Sequence, residues 1–211
     1  MSAGPTGLRE AKKQETRQLI SDHATRLFMR QGFEATTIAE IATAARVAKK
    51  TVTNYFARKE DLALDHHEAF TNSLAITVAE RADGESALTA LRRAFDDALD
   101  TRDPVAGFAG WDFSRMIADS PTLTARLRDL HDQREDALAH ALAIATDAAP
   151  DDITPRAAAA QLAAAHRLLF ARIQELTLAG QDNDRIAATL TGEAAHVFGR
   201  LEPAFADYAT R

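Results

Sequence analysis

The chain has 211 residues, 46% of them hydrophobic, and a formal net charge of −6; that is enough apolar material for a real core, which excludes wholesale disorder. With no cysteine, disulfides, thiolate metal sites and cysteine nucleophiles are excluded too. No apolar run approaches the roughly 18 residues of a membrane span, and Met1 to Lys13 is polar without a signal-peptide core, so a soluble cytoplasmic protein with no membrane partner is expected.

Helical periodicity runs through nearly the whole sequence and strand alternation is missing, which predicts an all-α fold. The first helix is expected from about Arg9 to Arg30, with Leu19, Ile20, Ala24, Leu27 and Phe28 on one face and Gly32 as its stop. Thr37-Ile-Ala-Glu40 has the pattern of a capping box that opens a short second helix ending near Ala44 or Ala45. A turn at Arg46-Val47 leads to a third helix over about Ala48 to Tyr55, and a fourth begins near Lys59. Beyond it, Gly84, Asp103-Pro104, Ser120-Pro121, Thr154-Pro155 and Gly180 punctuate the chain. Three of these set a capping residue before a proline, which suits the first helical position. The helices so bounded are 59–82, 85–101, 104–118, 121–147, 155–179 and 183–201. The expected architecture is a three-helix head over residues 1–58 and a roughly six-helix body over residues 59–211.

Charge divides along the same line. Residues 1–60 hold 11 Lys and Arg against 6 Asp and Glu, a balance of +5, and the remainder holds 14 against 25, or −11. All five lysines (Lys12, Lys13, Lys49, Lys50, Lys59) lie in the first part. A basic head on an acidic body suits phosphate binding by the head alone. Within it, Ile38, Ile41, Ala42, Val47, Val52 and Phe56 are spaced to bury the junction of the second and third helices against Leu27 and Phe28. Lys49, Lys50, Thr51, Thr53 and Asn54 are left on the outer face of the third helix. A rigid apolar back with small polar and cationic groups forward is what reading a DNA major groove requires.

From Thr16 to Leu62 the chain resembles the TetR/AcrR regulators. The resemblance is carried by Arg17, Ile20, Ala24, Leu27, Phe28, Gly32-Phe33, Thr36-Thr37-Ile38, Ile41-Ala42, Ala45, Val47, Thr51, Tyr55-Phe56, Lys59-Glu60 and Leu62. It implies a ligand-responsive transcriptional regulator, most often a repressor, that binds a palindromic operator in double-stranded DNA as a homodimer. It implies no cofactor and no enzyme activity. Two positions depart from the family: Arg46 stands where the turn usually has glycine, and Ala48 where a capping serine is usual. The DNA-facing set is then Thr36, Thr37, Lys49, Lys50, Thr51, Thr53, Asn54, Tyr55 and Lys59. Thr37 and Lys59 suit phosphate, as does Tyr55 by resemblance; a lysine suits guanine O6/N7 and Asn54 suits adenine. Two alternatives stay open, an activator and a helical binding protein whose head no longer reads DNA.

In the body, the resemblance assigns the dimer interface to the last two long helices. The residues expected there are Leu162, Leu169, Ile173, Ile186, Leu190 and Val197, beside the alanines at 157–160 and 163–165, forming a four-helix bundle between copies. Polar residues that interrupt apolar stripes mark a ligand pocket: His66, Phe95, Phe108, Trp111, Asp112, Met116, His131, Arg134, His166 and Phe170. An apolar pocket with one cation suits a carboxylate or an acyl-CoA-like ligand. No metal site is expected, because adjacent His66 and His67 point about 100° apart on a helix and no His-x-x-x-His pair occurs. A nucleophile elbow and a phosphate-cradling glycine loop are absent as well.

Overall fold

The computed structural model describes residues 5–211, with side chains from residue 11 onward. The described residues are helical with no strand, in eleven α-helices: α1 (Pro5–Gln31), α2 (Ile38–Ala44), α3 (Lys49–Tyr55), α4 (Glu60–Ala63), α5 (His67–Ala79), α6 (Ala87–Thr101), α7 (Trp111–Asp119), α8 (Pro121–Ala145), α9 (Thr154–Leu178), α10 (Asn183–Gly199) and α11 (Glu202–Phe205). None of the described helices is long and apolar enough to cross a membrane. Two compact units divide the chain: a head, the segment up to Asp65 together with Met116–Arg126, and a body, His66–Arg115 with Leu127–Arg211.

The head core is built from the predicted faces, except that Leu19, expected on the buried face of α1, is 44% exposed. Ile20, Ala24, Leu27 and Phe28 of α1 are buried with Phe33, Ile41, Val52, Phe56 and Leu62, and the Phe28 and Phe33 rings lie 5.0 Å apart. The segment Met116–Arg126 adds Met116, Ile117 and Leu123 to the buried residues. It also contributes the Ser120 hydroxyl, which donates to Glu34, and Arg126, whose guanidinium lies 3.0 Å from the Asp61 carboxylate with both side chains nearly buried. The Ser120 hydroxyl is the main cause that holds the Glu34 carboxyl below its ordinary range.

The body core is assembled by α5, α6, α8, α9 and α10. Leu91, Leu138, Leu142, Leu162, Ile173, Ile186, Leu190 and Phe198 are fully buried in one cluster. Two expected helices are interrupted. The predicted 59–82 helix breaks at Leu64–His66, where Leu64 takes φ −112, ψ 51 and His66 takes φ −87, ψ 15. The predicted 104–118 helix is a 3-10 turn over Pro104–Ala106, then a loop, then α7 from Trp111. Gly107 and Gly110, both at positive φ (125° and 79°), cause this break. Gly107 is required on a second ground: a Cβ there would meet Ile173 of α9 at 3.2 Å and the Phe170 carbonyl at 3.3 Å.

Gly107→Ala should therefore destabilise the body by roughly 2–3 kcal/mol, combining a left-handed alanine with overpacking against a fixed helix. Urea unfolding of the variant against the parent chain measures this, and a change within error would show that the loop relaxes freely.

Candidate functional site

The helix-turn-helix begins at a real capping box. Thr37 precedes α2 with φ −103, ψ 154; its Oγ1 accepts from the Glu40 amide at 3.2 Å, and its own amide donates to Glu40 Oε2 at 2.8 Å. The same hydroxyl donates to Glu40 Oε2, and these bonds hold the Glu40 carboxyl below its usual range. The helix ends in a Schellman arrangement: the Arg46 amide donates to Thr43 O and the Val47 amide to Ala42 O. That geometry demands a left-handed residue, and Arg46 supplies it at φ 56. The arginine adopts the conformation where the family has glycine, so the turn is preserved at a backbone cost on the order of 1 kcal/mol. Ala48 caps α3 without a side-chain bond, φ −71, ψ 147, and the reading helix starts at Lys49 rather than Ala48.

Val52 anchors α3 with no exposed surface. Lys49, Lys50, Thr53 and Asn54 are exposed, and Thr51 and Tyr55 half-buried. Neither lysine ammonium has an ion pair or hydrogen bond among the described residues. The far end of the helix is held by Arg17, whose Nη1 donates to the Tyr55 carbonyl at 2.9 Å while its guanidinium stacks 4.4 Å from the Phe56 ring centre.

Two residues of the expected DNA-facing set do something else. Thr36 is 1% exposed, and its hydroxyl donates to the Gly32 carbonyl at 2.8 Å. Lys59 Nζ donates to the carbonyls of Phe33 (2.9 Å) and Thr36 (3.0 Å) and lies 4.2 Å from the Phe33 ring centre. It is a staple for the loop between α1 and α2, not a free cation. Conversely, Arg46 and Arg58 present exposed side chains flanking α3. The sequence pattern marks Arg46 only as a turn residue, although a cation adjoining the reading helix is itself the signal.

In the body, a cavity of about 140 Å³ is lined by Phe95, Arg134, His166 and Phe170 from the expected pocket set, with Ser73, Thr77 and Asp103. No sequence pattern points to the last three, because α5 and the 3-10 turn bring them to the wall only in the fold. The other expected residues lie elsewhere. His66 is exposed at the cap of α5, and Trp111 and Asp112 are exposed in the first turn of α7. Met116 is buried in the head, and Phe108 is buried without lining the cavity. His131 is buried behind the wall, its ring 5.0 Å from Phe70 and 5.2 Å from Phe170. Leu162, Leu169, Ile173, Ile186 and Leu190 are all within 1% of full burial in this chain's own core, and Val197 packs against it. Those five cover one another inside one chain, whereas Val197 is half-buried. The outward side of α9 instead carries Ala157, Gln161, Leu168 and Ala171, and that of α10 carries Ala188, Gly192 and Ala195. Arg172 and Glu193, 3.2 Å apart, tie the two helices together.

The family model described as bacterial regulatory proteins of the tetR family matches residues 20–65. Over 159 residues the chain is 33% identical to TcmR, an HTH-type transcriptional regulator of Streptomyces glaucescens, spanning 72% of this chain and 70% of that one. The chain belongs to the TetR family. Like its relatives, this TetR-family protein is a DNA-binding transcriptional regulator and not an enzyme. Its fold is that of NalD, the secondary repressor of the MexAB-OprM multidrug efflux pump in Pseudomonas aeruginosa, at TM-score 0.53 and 18% identity over 92% of this chain and 98% of that one. It is likewise that of SmeT in complex with triclosan, at TM-score 0.53 and 20% identity over 86% of this chain and 90% of that one.

The buried histidines of this TetR-family body give stability a pH dependence. Burial, with the charge of Arg134 second, pushes His166 from 6.5 down to about 3 and His131 from 6.5 down to about 4. The unfolded chain protonates both below its ordinary histidine pKa while the folded chain does not. Stability is therefore complete above that value and is lost as pH falls toward the folded pKa values. Each histidine adds a slope of up to about 1.4 kcal/mol per pH unit in that window. Urea unfolding between about pH 7 and about pH 5 should show the decline, and His131→Leu should remove roughly half of it.

Proposed function

We propose that this regulator is a ligand-responsive repressor that binds a palindromic operator as a homodimer and releases it when a small amphipathic or apolar inducer enters the body cavity. The observation that carries the reading is the pair Lys49 and Lys50: two ammonium groups without partners among the described residues, at the start of a helix whose back is clamped by Val52 and Arg17. In this reading one lysine meets guanine O6/N7 and Asn54 meets adenine. Thr51 and Thr53 contact a thymine methyl or a phosphate, and Tyr55 a phosphate. The fold shared with NalD, a repressor, and with SmeT, which binds triclosan, supports repression and a small-molecule effector.

Dimerisation is proposed through the outward sides of α9 and α10. Small residues there permit close helix approach, and Leu168, 58% exposed, would supply the central apolar contact of a four-helix bundle with a second copy. Two reading helices related by a twofold axis require operator half-sites one helical turn or a multiple apart. An inducer that prefers the arrangement with misplaced heads then shifts the population away from the bound form.

In a salt titration on the DNA upstream of the regulator's own gene, Lys50→Ala should lower the slope of log affinity against log salt by about 1 per head. Lys59→Met should leave that slope unchanged and instead cost the head about 2 kcal/mol, since its three hydrogen-bonding contacts are internal. An unchanged slope together with unchanged affinity for Lys50→Ala would remove that lysine from the interface, whereas weaker binding at an unchanged slope would assign it to a base rather than a phosphate. Leu168→Glu should convert the dimer to a folded monomer in sedimentation velocity, with at least about tenfold weaker operator binding. A dimer that survives the substitution would place the interface elsewhere.

A further inference from the structure

The body cavity holds a buried cation that no described carboxylate pairs with directly. Arg134 of α8 is 6% exposed, and burial draws its pKa down to about 10, so it remains a cation. Among the described residues its only hydrogen bond runs from Nε to the Ser73 hydroxyl at 2.9 Å. Its guanidinium lies 4.6 Å from the Phe70 ring centre, and none of the described carboxylates comes within ion-pairing distance. Asp103, also on the cavity wall, acts on it only through its field. A buried cation without a bonded anion carries a desolvation penalty that an apolar side chain of the same volume would avoid. A second group shares the cavity in the same condition: His166 is 5% exposed, and its Nε2 is buried with no hydrogen-bond partner. As a neutral imidazole it can donate one N–H. Apart from Thr77, whose hydroxyl donates to the Ser73 carbonyl, the rest of the wall, including Leu74, Phe95, Ala98 and Phe170, is apolar.

We propose that this cavity binds a compact monocarboxylate, whose carboxylate pairs with the Arg134 guanidinium beside the His166 imidazole while its single ring or short acyl chain lies against Phe95 and Phe170. The proposal rests on the reading of the cavity as the effector site and narrows it. The planar guanidinium matches a carboxylate in a two-bonded fork. Asp103, whose charge already acts on Arg134, disfavours a dianion more strongly than a single carboxylate. At about 140 Å³, the cavity is near the ~150 Å³ that accepts one benzene ring.

The test uses the full chain with sodium benzoate and sodium hexanoate, and with benzamide and hexanamide as neutral counterparts of the same shape. Calorimetric titration should show saturable binding of at least one acid, with its amide at least about 30-fold weaker, as expected for a charge-assisted pair made to a nearly buried cation. Arg134→Met should bring acid affinity to the amide level and leave the melting temperature of the unliganded protein unchanged or raised, because a structural arginine would lower it. His166→Phe should weaken the acid by a smaller factor, about fivefold, the loss of one neutral polar neighbour. Equal binding of acid and amide overturns the proposal. So does the absence of binding by both acids up to about 10 mM, a concentration that detects even millimolar affinity, or undiminished acid binding by Arg134→Met. The operator assay separates the two readings: an acid that binds through Arg134 without releasing DNA supports the site and sinks the inducer role. Release of DNA by an amide as readily as by its acid sinks the carboxylate site and leaves the inducer role standing.

Discussion

Seven residues of helix in water lack the length to sustain themselves, since the cost of the first turn is recovered only over a dozen residues or more. α3, from Lys49 to Tyr55, is such a helix, and its cap at Ala48 contributes no side-chain bond. Its existence depends on what grips it. Val52 is sealed beneath it, Arg17 reaches across from α1 to the Tyr55 carbonyl, and the Schellman turn at Arg46 sets its direction. The gripping contacts all come from the back and ends, which is why the front can be polar and cationic. The same logic explains Lys59: its ammonium gathers the carbonyls of Phe33 and Thr36, closing the loop that orients α2, on which α3 in turn rests.

The body follows the opposite rule. There the long helices bury wide apolar faces on one another, and polar groups inside are few. Arg81 shows how such a group is ordinarily accommodated. It is 6% exposed and donates to the carbonyls of Val78 and Ala209, fastening the segment after α11 to the end of α5. Arg134, equally buried, has a single neutral acceptor and an aromatic face. The contrast between two arginines of equal burial and unequal satisfaction separates a structural cation from one that faces a cavity.

The sequence conveys the head well because its signals are local. A capping box needs only Thr37 and Glu40 at a three-residue spacing, and a left-handed turn only the intervals around Arg46. Most of the apolar positions of α1 to α3 recur at helical period and are buried, Leu19 being exposed and Ile38 half-buried. The body is legible as helices but not as surfaces. An apolar stripe such as Leu162, Leu169 and Ile173 says that a face is covered, and not whether the cover is α6 and α10 of the same chain or a second copy. The break at Gly107–Gly110 is masked because residues on either side of it keep helical spacing, although two glycines at positive φ cause it. Unbroken helical spacing consequently assigns Trp111, Asp112 and His66 to the cavity, whereas all three are exposed.

By itself, then, the sequence determined the all-α class, the helix-turn-helix with its polar outer face, the separation of basic head from acidic body, and the family. Periodicity, capping and charge are properties of neighbours along the chain. Tertiary structure alone decided which lysines are free and which is a staple, and which faces of α9 and α10 look outward. It alone also decided that Arg134, Ser73 and His166, drawn from three helices, share one small cavity. Those are questions of which partner reaches a group first, and residues 61 positions apart in the chain settle them: Ser73 meets Arg134 only once α5 and α8 have packed.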